Sequence, residues 1–324
     1  MRSLGDPAAI SDRSLRRLVI GLALILLLGI PAFGAFYYFD RHPDPGPSLA
    51  DRAIAAAEGA VRSNPADLDA RNALAAAYVR AKRFTECISQ FGEVLKVAPR
   101  NRAALLGRGL AYRQSGQAER ALADFESLVD LAASGEMAGV DPQLEQAYYE
   151  IGSIELERGR SEAAIAALEQ ALRIDAGDAD ALFAYGTALV RIGNAQQGVD
   201  ALRRAVAFVP AGWCDPYRGL IDGYRALGDR DGAAYADGMV AACEGRLDEA
   251  TQKLDVLQSG SHAIDAWLGL ALVEAAEGAP ANAAAYYRRV LAREPDNPSA
   301  LIGLAQIGTP DLGAARPGPS VGGS

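Results

Sequence analysis

At 324 residues the chain is long enough for two ordinary domains, and its net charge of −9 argues against nucleic acid as a partner, because phosphate backbones need clustered positive charge. With two histidines and three cysteines there is no pair at zinc-ligand spacing, so no metal site is expected. Half of the residues are apolar, a share raised by alanine and by one N-terminal segment.

Residues 1–17 carry Arg2, Arg13, Arg16 and Arg17 against Asp6 and Asp12. Leu18 to Phe39 then runs for 22 residues without a charge. As a helix it spans about 33 Å, enough for a hydrocarbon core of about 30 Å. Asp40, Arg41 and Asp44 come next, so the excess of positive charge lies on the N-terminal side. That bias predicts a single-pass anchor in the inner (cytoplasmic) membrane, with residues 1–17 in the cytoplasm and the rest outside. The competing reading takes Leu18–Ile30 as the apolar core of a signal peptide, cleaved near Ala32-Phe33-Gly34. The run from Phe33 to Phe39 extends the segment to spanning length and favours an uncleaved anchor over 18–39. Both readings export residues 40–324; an inverted topology, with the array in the cytoplasm, is the alternative to them. Residues 40–50, with Pro43, Pro45, Gly46 and Pro47, read as a stiff spacer. Without the first 39 residues, which hold four Arg and two Asp, the charge falls to −11. The basic residues are nearly all Arg, with Lys only at 82, 96 and 253, a bias associated with GC-rich bacterial genomes.

A helix over 51–62 ends at Asn64-Pro65, and a 34-residue beat begins after it. One unit reads Leu74-Ala75-x2-Tyr78, Cys87-x3-Phe91, Val94, Pro99. The next reads Gly109-x2-Tyr112, Gly116, Ala121-x3-Phe125, Leu128. A late one reads Trp267-x2-Leu270-Ala271, Gly278, Ala283-x3-Tyr287, Val290, Pro295. The eighth and twentieth slots are small, as at Gly186 and Gly198, which lets two helices approach closely. The fifteenth is usually glycine, because a helix C-terminus wants a left-handed residue; Lys82 breaks that pattern. Pro99, Pro210 and Pro295 end the second helix, and Asp141-Pro142 is a capped helix start.

On these residues the chain resembles the tetratricopeptide repeat (TPR) family. The resemblance implies an all-α, right-handed superhelical solenoid of antiparallel helix pairs, here preceded by one transmembrane helix. The array spans 51–308, with units at 68–101, 102–135, 145–178, 179–212 and 264–297, an irregular stretch at 214–260 and a cap helix at 298–308. Residues 136–144 read as an inserted surface loop and 309–324, rich in Gly and Pro, as a disordered tail. In this family the first helix of each unit lines a concave groove. Carried onto this chain, those slots give Asn72, Arg80, Leu106, Leu110, Arg113, Tyr149, Phe183, Arg191 and Leu268, with Arg218, Asp222 and Arg225 from the irregular stretch. Asn72 and Ala76 occupy the slots where one TPR class places Lys and Asn to grip a terminal carboxylate, which puts such a clamp in doubt. A groove mixing apolar side chains with arginine suits a segment with apolar anchors and some acidic groups.

Cys87 sits in a small slot and reads as buried. Cys214 opens one helix and Cys243 closes the next, after a turn at Gly228-Asp229, so a disulfide is sterically possible between them. Export makes it chemically possible. No nucleotide, serine-hydrolase or metalloprotease motif occurs, and the clustered carboxylates suit a solvated surface. The sequence therefore predicts a membrane-anchored interaction scaffold with no catalytic residues and no cofactor. Its partners are expected to be proteins or peptides in the groove and the membrane at the N-terminal helix. An accessory role in envelope assembly, such as cytochrome c maturation or secretion, is an alternative. A small-ligand or catalytic cleft at 214–260, motivated by Trp213 and the Arg218/Asp222/Arg225 cluster, is a third.

Overall fold

The structure is a computed structural model that describes residues 27, 30, 33, 37, 48–208 and 212–308. The predicted segment 1–17, all but four positions of the predicted anchor 18–39, most of the spacer, Pro210 and the tail 309–324 lie outside the described residues. Among the described residues no helix is long and apolar enough to cross a membrane.

The chain divides into two compact units, Met1–Ala66 and Asp67–Ser324. In the first, α1 (Leu49–Ser63) opens on a capping box. The Ser48 hydroxyl accepts the Asp51 N–H, and the Asp51 carboxylate accepts the Ser48 N–H, each at 3.1 Å.

The second unit is helical throughout its described residues. Its hairpins are α2 (Leu68–Arg80) with α3 (Phe84–Val97), α4 (Arg102–Gln114) with α5 (Ala118–Ala132), α6 (Pro142–Glu157) with α7 (Ser161–Ile174), and α8 (Ala179–Arg191) with α9 (Ala195–Phe208). A 3-10 turn at Ala138–Val140 interrupts the 136–144 loop. Then come α10 (Asp215–Leu227), α11 (Arg230–Cys243), α12 (Leu247–Asp255), α13 (Ala263–Ala276), α14 (Pro280–Leu291) and α15 (Pro298–Gly308).

Two local rules build each hairpin. The first helix is capped by a side chain: Asp67, Asn101, Asp141 and Asp178 each accept N–H bonds from the first turn of α2, α4, α6 and α8. The second helix has no side-chain cap at Arg83, Gln117 or Arg160. It starts instead from a left-handed turn closed by a bond back over five residues, as from Gln117 N–H to the Tyr112 carbonyl at 2.8 Å. Lys82 adopts that left-handed conformation, φ 56°, without being glycine. The hairpin halves then touch through the small slots. A Cβ on Gly186 would lie 2.9 Å from the Gly198 carbonyl oxygen, and one on Gly109 would lie 2.6 Å from the Phe125 ring.

The stretch expected to be irregular obeys the same rules in an overlapping way. Gly228 closes α10 onto α11, through the Asp229 N–H and the Tyr224 carbonyl. Gly245 closes α11 onto α12 in the same manner, through the Arg246 N–H and the Ala241 carbonyl. Helix α11 is thus second partner to α10 and first partner to α12. It carries the side-chain cap of a first helix, Asp229 accepting from the Gly232 N–H at 2.9 Å. Second-neighbour packing agrees: it joins α2–α4, α4–α6, α6–α8 and α8–α10, then shifts to α11–α13. The pairing changes parity at one shared helix.

Candidate functional site

The parity change leaves a cavity of about 380 Å³. Its walls come from α9 (Arg203, Val206), α10 (Tyr217, Leu220), α11 (Tyr235, Met239), α13 (Leu268, Leu272), α14 (Tyr287) and α15 (Ile302, Gln306). Once α11 serves in both roles, α13 stands beside it, and α9 and α15 close the sides of the same space. Gly303 is required by this packing, because a Cβ there would lie 2.2 Å from the Tyr287 ring. The volume falls within the range of ligand-sized concave sites, about 300–1,000 Å³. The lining is mainly apolar, with Asn297, Ser299 and Gln306 among its polar members.

The charged wall is internally paired. Arg203 donates to both Asp265 carboxylate oxygens, at 2.7 and 2.8 Å, and to the Tyr224 hydroxyl at 2.9 Å. The hydrogen bond to Asp265 holds the Arg203 pKa above its ordinary value against the opposing effect of burial. Asp265 is itself largely buried, and burial pushes its pKa up, yet the bonds from His262 and Arg203 outweigh that and hold it low. Tyr235 is buried edge-on to Tyr217, ring centroids 6.4 Å apart, and burial keeps both phenols protonated.

Of the residues expected to line a groove, the structure brings Leu268 to this cavity. Phe183 packs edge-to-face on Trp213, centroids 5.3 Å apart, beside the same core. Leu106 is buried, Leu110 is half-buried, and Tyr149 packs half-buried between α7 and α8. Asn72 is half-buried with its side-chain oxygen enclosed, and Arg80 is exposed. Three of the arginines have partners on neighbouring helices. Arg113 binds Glu150 at 2.8 Å, Glu157 at 2.7 Å and Ser153 at 2.9 Å, so it ties α4 to α6. Arg191 donates to the Leu156 carbonyl at 2.9 Å and satisfies the end of α6. Arg218 pairs with Asp215 at 2.6 Å and Glu244 at 2.8 Å. Asp222 and Arg225 face each other at 3.9 Å in solvent, away from the cavity. Arg113, Arg191 and Arg218 thus bind within the array, because each lies within reach of a neighbouring helix's carboxylate or terminal carbonyl.

Cys214 and Cys243 are bonded, with Cα atoms 5.7 Å apart. The bridge fixes the shared helix α11 to the start of α10. Cys87 is free and buried, and burial pushes its thiol up to about 12.

Sequence reasoning missed Arg203, Tyr217, Tyr235, His262 and Asp265 as a set. One signal was available. Gly238, Gly245, Ala250 and Leu254 stand at the same relative slots as Gly109, Gly116, Ala121 and Phe125, marking a further unit that overlaps the one before it.

Comparison with known proteins bears on the same segments. Tetratricopeptide repeat family models match residues 86–136, 149–212 and 264–307. Cellulose synthase 1 operon protein C of Komagataeibacter xylinus is 33% identical over 158 residues, 48% of this chain and 11% of its own length. The chain thus spans about a tenth of that relative. The crystal structure of YrrB, described as a TPR protein with an unusual peptide-binding site, superposes with a TM-score of 0.50 at 17% identity, covering 62% of this chain and 98% of YrrB. The C-terminal part of a TPR repeat-containing protein from Cytophaga hutchinsonii gives 0.50 at 16% identity, over 79% and 94%. The left-handed hairpin turns, the small-slot contacts and the matched segments agree that this chain is a tetratricopeptide repeat protein.

Proposed function

We propose that this protein is a non-catalytic scaffold that holds a partner protein by inserting an apolar side chain of that partner into the cavity between α9, α10, α11, α13 and α15. The cavity carries the reading. It is ligand-sized, mostly apolar, and lined by aromatic and methionine side chains suited to an anchor residue. Its charged member, Arg203, is already paired with Asp265, which leaves binding mainly to shape and apolar contact. Peptide binding by YrrB is a property of that protein, and it lends support by fold alone.

The array is proposed to stand outside the inner membrane of a bacterium, tethered by the apolar run 18–39. The arginines before that run and the Cys214–Cys243 bridge, a bond that persists in oxidising compartments, support this placement. A tether confines the array to a surface and raises the effective concentration of what it meets there. The accessory role in envelope assembly is a second reading, resting on the exported placement proposed above.

Photo-crosslinking in native membranes tests the binding role. A crosslinker at Leu268 or Ile302 is expected to capture one common protein, and one at exposed Arg80 is not. Leu272→Arg should abolish that capture while leaving helicity intact. Capture that survives Leu272→Arg would refute the cavity as the binding site. A C-terminal reporter active only outside the membrane tests the topology.

A further inference from the structure

His262 lies in the turn before α13, nearly buried. Both of its ring nitrogens meet carboxylates. Nε2 is 2.8 Å from Asp229 and Nδ1 is 3.0 Å from Asp265. A neutral imidazole has one N–H and one lone pair, so either tautomer would aim a lone pair at a carboxylate oxygen. Only the imidazolium donates to both. The geometry therefore specifies the charged form.

The two carboxylates belong to different elements. Asp229 caps α11, the shared helix, and Asp265 lies in the first turn of α13. Asp265 also receives both bonds from Arg203 of α9. The imidazole ring stacks on Tyr235 of α11, planes 8° apart, and meets Tyr224 of α10 edge-on. Three of the residues around this cluster, Arg203, Tyr235 and the neighbouring Tyr217, line the cavity. One proton thus joins two of the helices that wall the cavity.

We propose that His262 is a proton-operated latch. As imidazolium it ties the cap of α11 to α13 and holds the cavity walls; on deprotonation it loses one of its two bonds and the turn 256–262 is released.

The groups facing His262 favour this from every side. The hydrogen bond to Asp265 raises its pKa above the ordinary value; burial opposes, and Asp229 adds to the rise. Arg203 is the positive charge at hand, and Asp265 neutralises it. Tyr217, Tyr224 and Tyr235 are held protonated by burial and carry no charge. Asp231 stands near Gly260, in the same turn, and adds negative charge. A histidine whose folded pKa is raised contributes stability that is complete below its unfolded pKa. That contribution is lost as pH rises through the folded pKa.

The test is the titration of the His262 ring by NMR on the full chain, with His42 told apart by its persistence in H262Q. The expected midpoint lies above 6.5. D229N removes one carboxylate charge and keeps an oxygen for the Gly232 N–H, so it should lower the midpoint. In urea unfolding followed by tryptophan fluorescence, which here reports only Trp213 and Trp267, wild type should exceed H262Q most below pH 6.5. That advantage should shrink as pH passes the midpoint. A midpoint at or below 6.5, or one that D229N leaves unmoved, overturns the latch. The latch stands apart from the binding role, because Leu272→Arg should leave the titration in place.

Discussion

The same substitution should change sign between two glycines of this array. Alanine gains about 1 kcal/mol over glycine in a helix interior. At Gly92, in α3, nothing lies within 4 Å of an added Cβ, so Gly92→Ala should collect that gain in full. At Gly186, in α8, the added Cβ would lie 2.8 Å from Leu202 Cγ, 2.9 Å from the Gly198 carbonyl oxygen and 3.1 Å from the Leu202 nitrogen. Ordinary carbon contacts need about 3.5–4.0 Å. Two of those three atoms are backbone of α9, so no side-chain rotation relieves them. The helices must move apart by roughly 0.5 Å, and overpacking of that kind costs about 1–3 kcal/mol. At the middle of that range overpacking outweighs propensity, and a net loss of about 1 kcal/mol, at most about 2, is expected. Gly198→Ala meets the same two helices, with its Cβ 2.9 Å from the Gly186 carbonyl, so the double variant should lose less than the sum of the singles. Urea unfolding by circular dichroism, fitted with a nearest-neighbour repeat scheme, measures all of these in one protein. If Gly186→Ala proves as stable as wild type, the close-contact account of the small slots is wrong.

Three other perturbations have definite directions. Replacing Cys214 and Cys243 by serine opens a loop with a sequence separation of 29. The chain-entropy relation gives a loss of about 3–4 kcal/mol, and unchanged unfolding of the tryptophan-bearing half would contradict it. Lys82→Gly relieves a left-handed non-glycine residue and should stabilise by about 1 kcal/mol; a lower urea midpoint would contradict that. Glu145 is pushed up to about 8 by burial, by its hydrogen bond with Asp178, and by the charges of Asp178, Asp175 and Glu150. The folded chain then keeps a proton that the unfolded chain has lost, so stability falls as pH rises from about 4.5 toward 8. Glu145→Gln should remove that fall, and identical pH profiles for the two proteins would count against it.

The repeating fold was legible because its constraints are steric and recur. A glycine or alanine must stand where two helices touch, and a left-handed residue must stand where one hairpin turns; both are visible at Gly109, Gly116 and Ala121. The cap at Asp141-Pro142 was legible for the same reason, because it is local. The arginines were not. Whether Arg113 faces a ligand or binds Glu150 depends on a residue on another helix, and no slot rule carries that information. The role of His262 was not legible either, because its partners, Asp229 and Asp265, sit on either side of the parity change.

The parity change also explains why a cavity forms at this place. In the regular part each first helix packs between its own partner and the next first helix, and small slots bring them into contact. Sharing α11 between two hairpins keeps the small-slot contacts, as at Gly238 against Leu254, but inserts the short α12 without a further first helix. Helix α13 must then reach back to α11, and Arg203 of α9 reaches across to Asp265 of α13. An unbroken array would place another first helix in that space. Here it is bounded by Tyr217, Tyr235 and Tyr287 and held by a disulfide on one side and a histidine clamp on the other. Restoring parity, by deleting 246–262 so that α13 follows α11 directly as the first helix of the next hairpin, should close the space and remove partner capture. If capture persisted in that variant, with the remaining repeats folded, the site would have to lie on the regular part of the array.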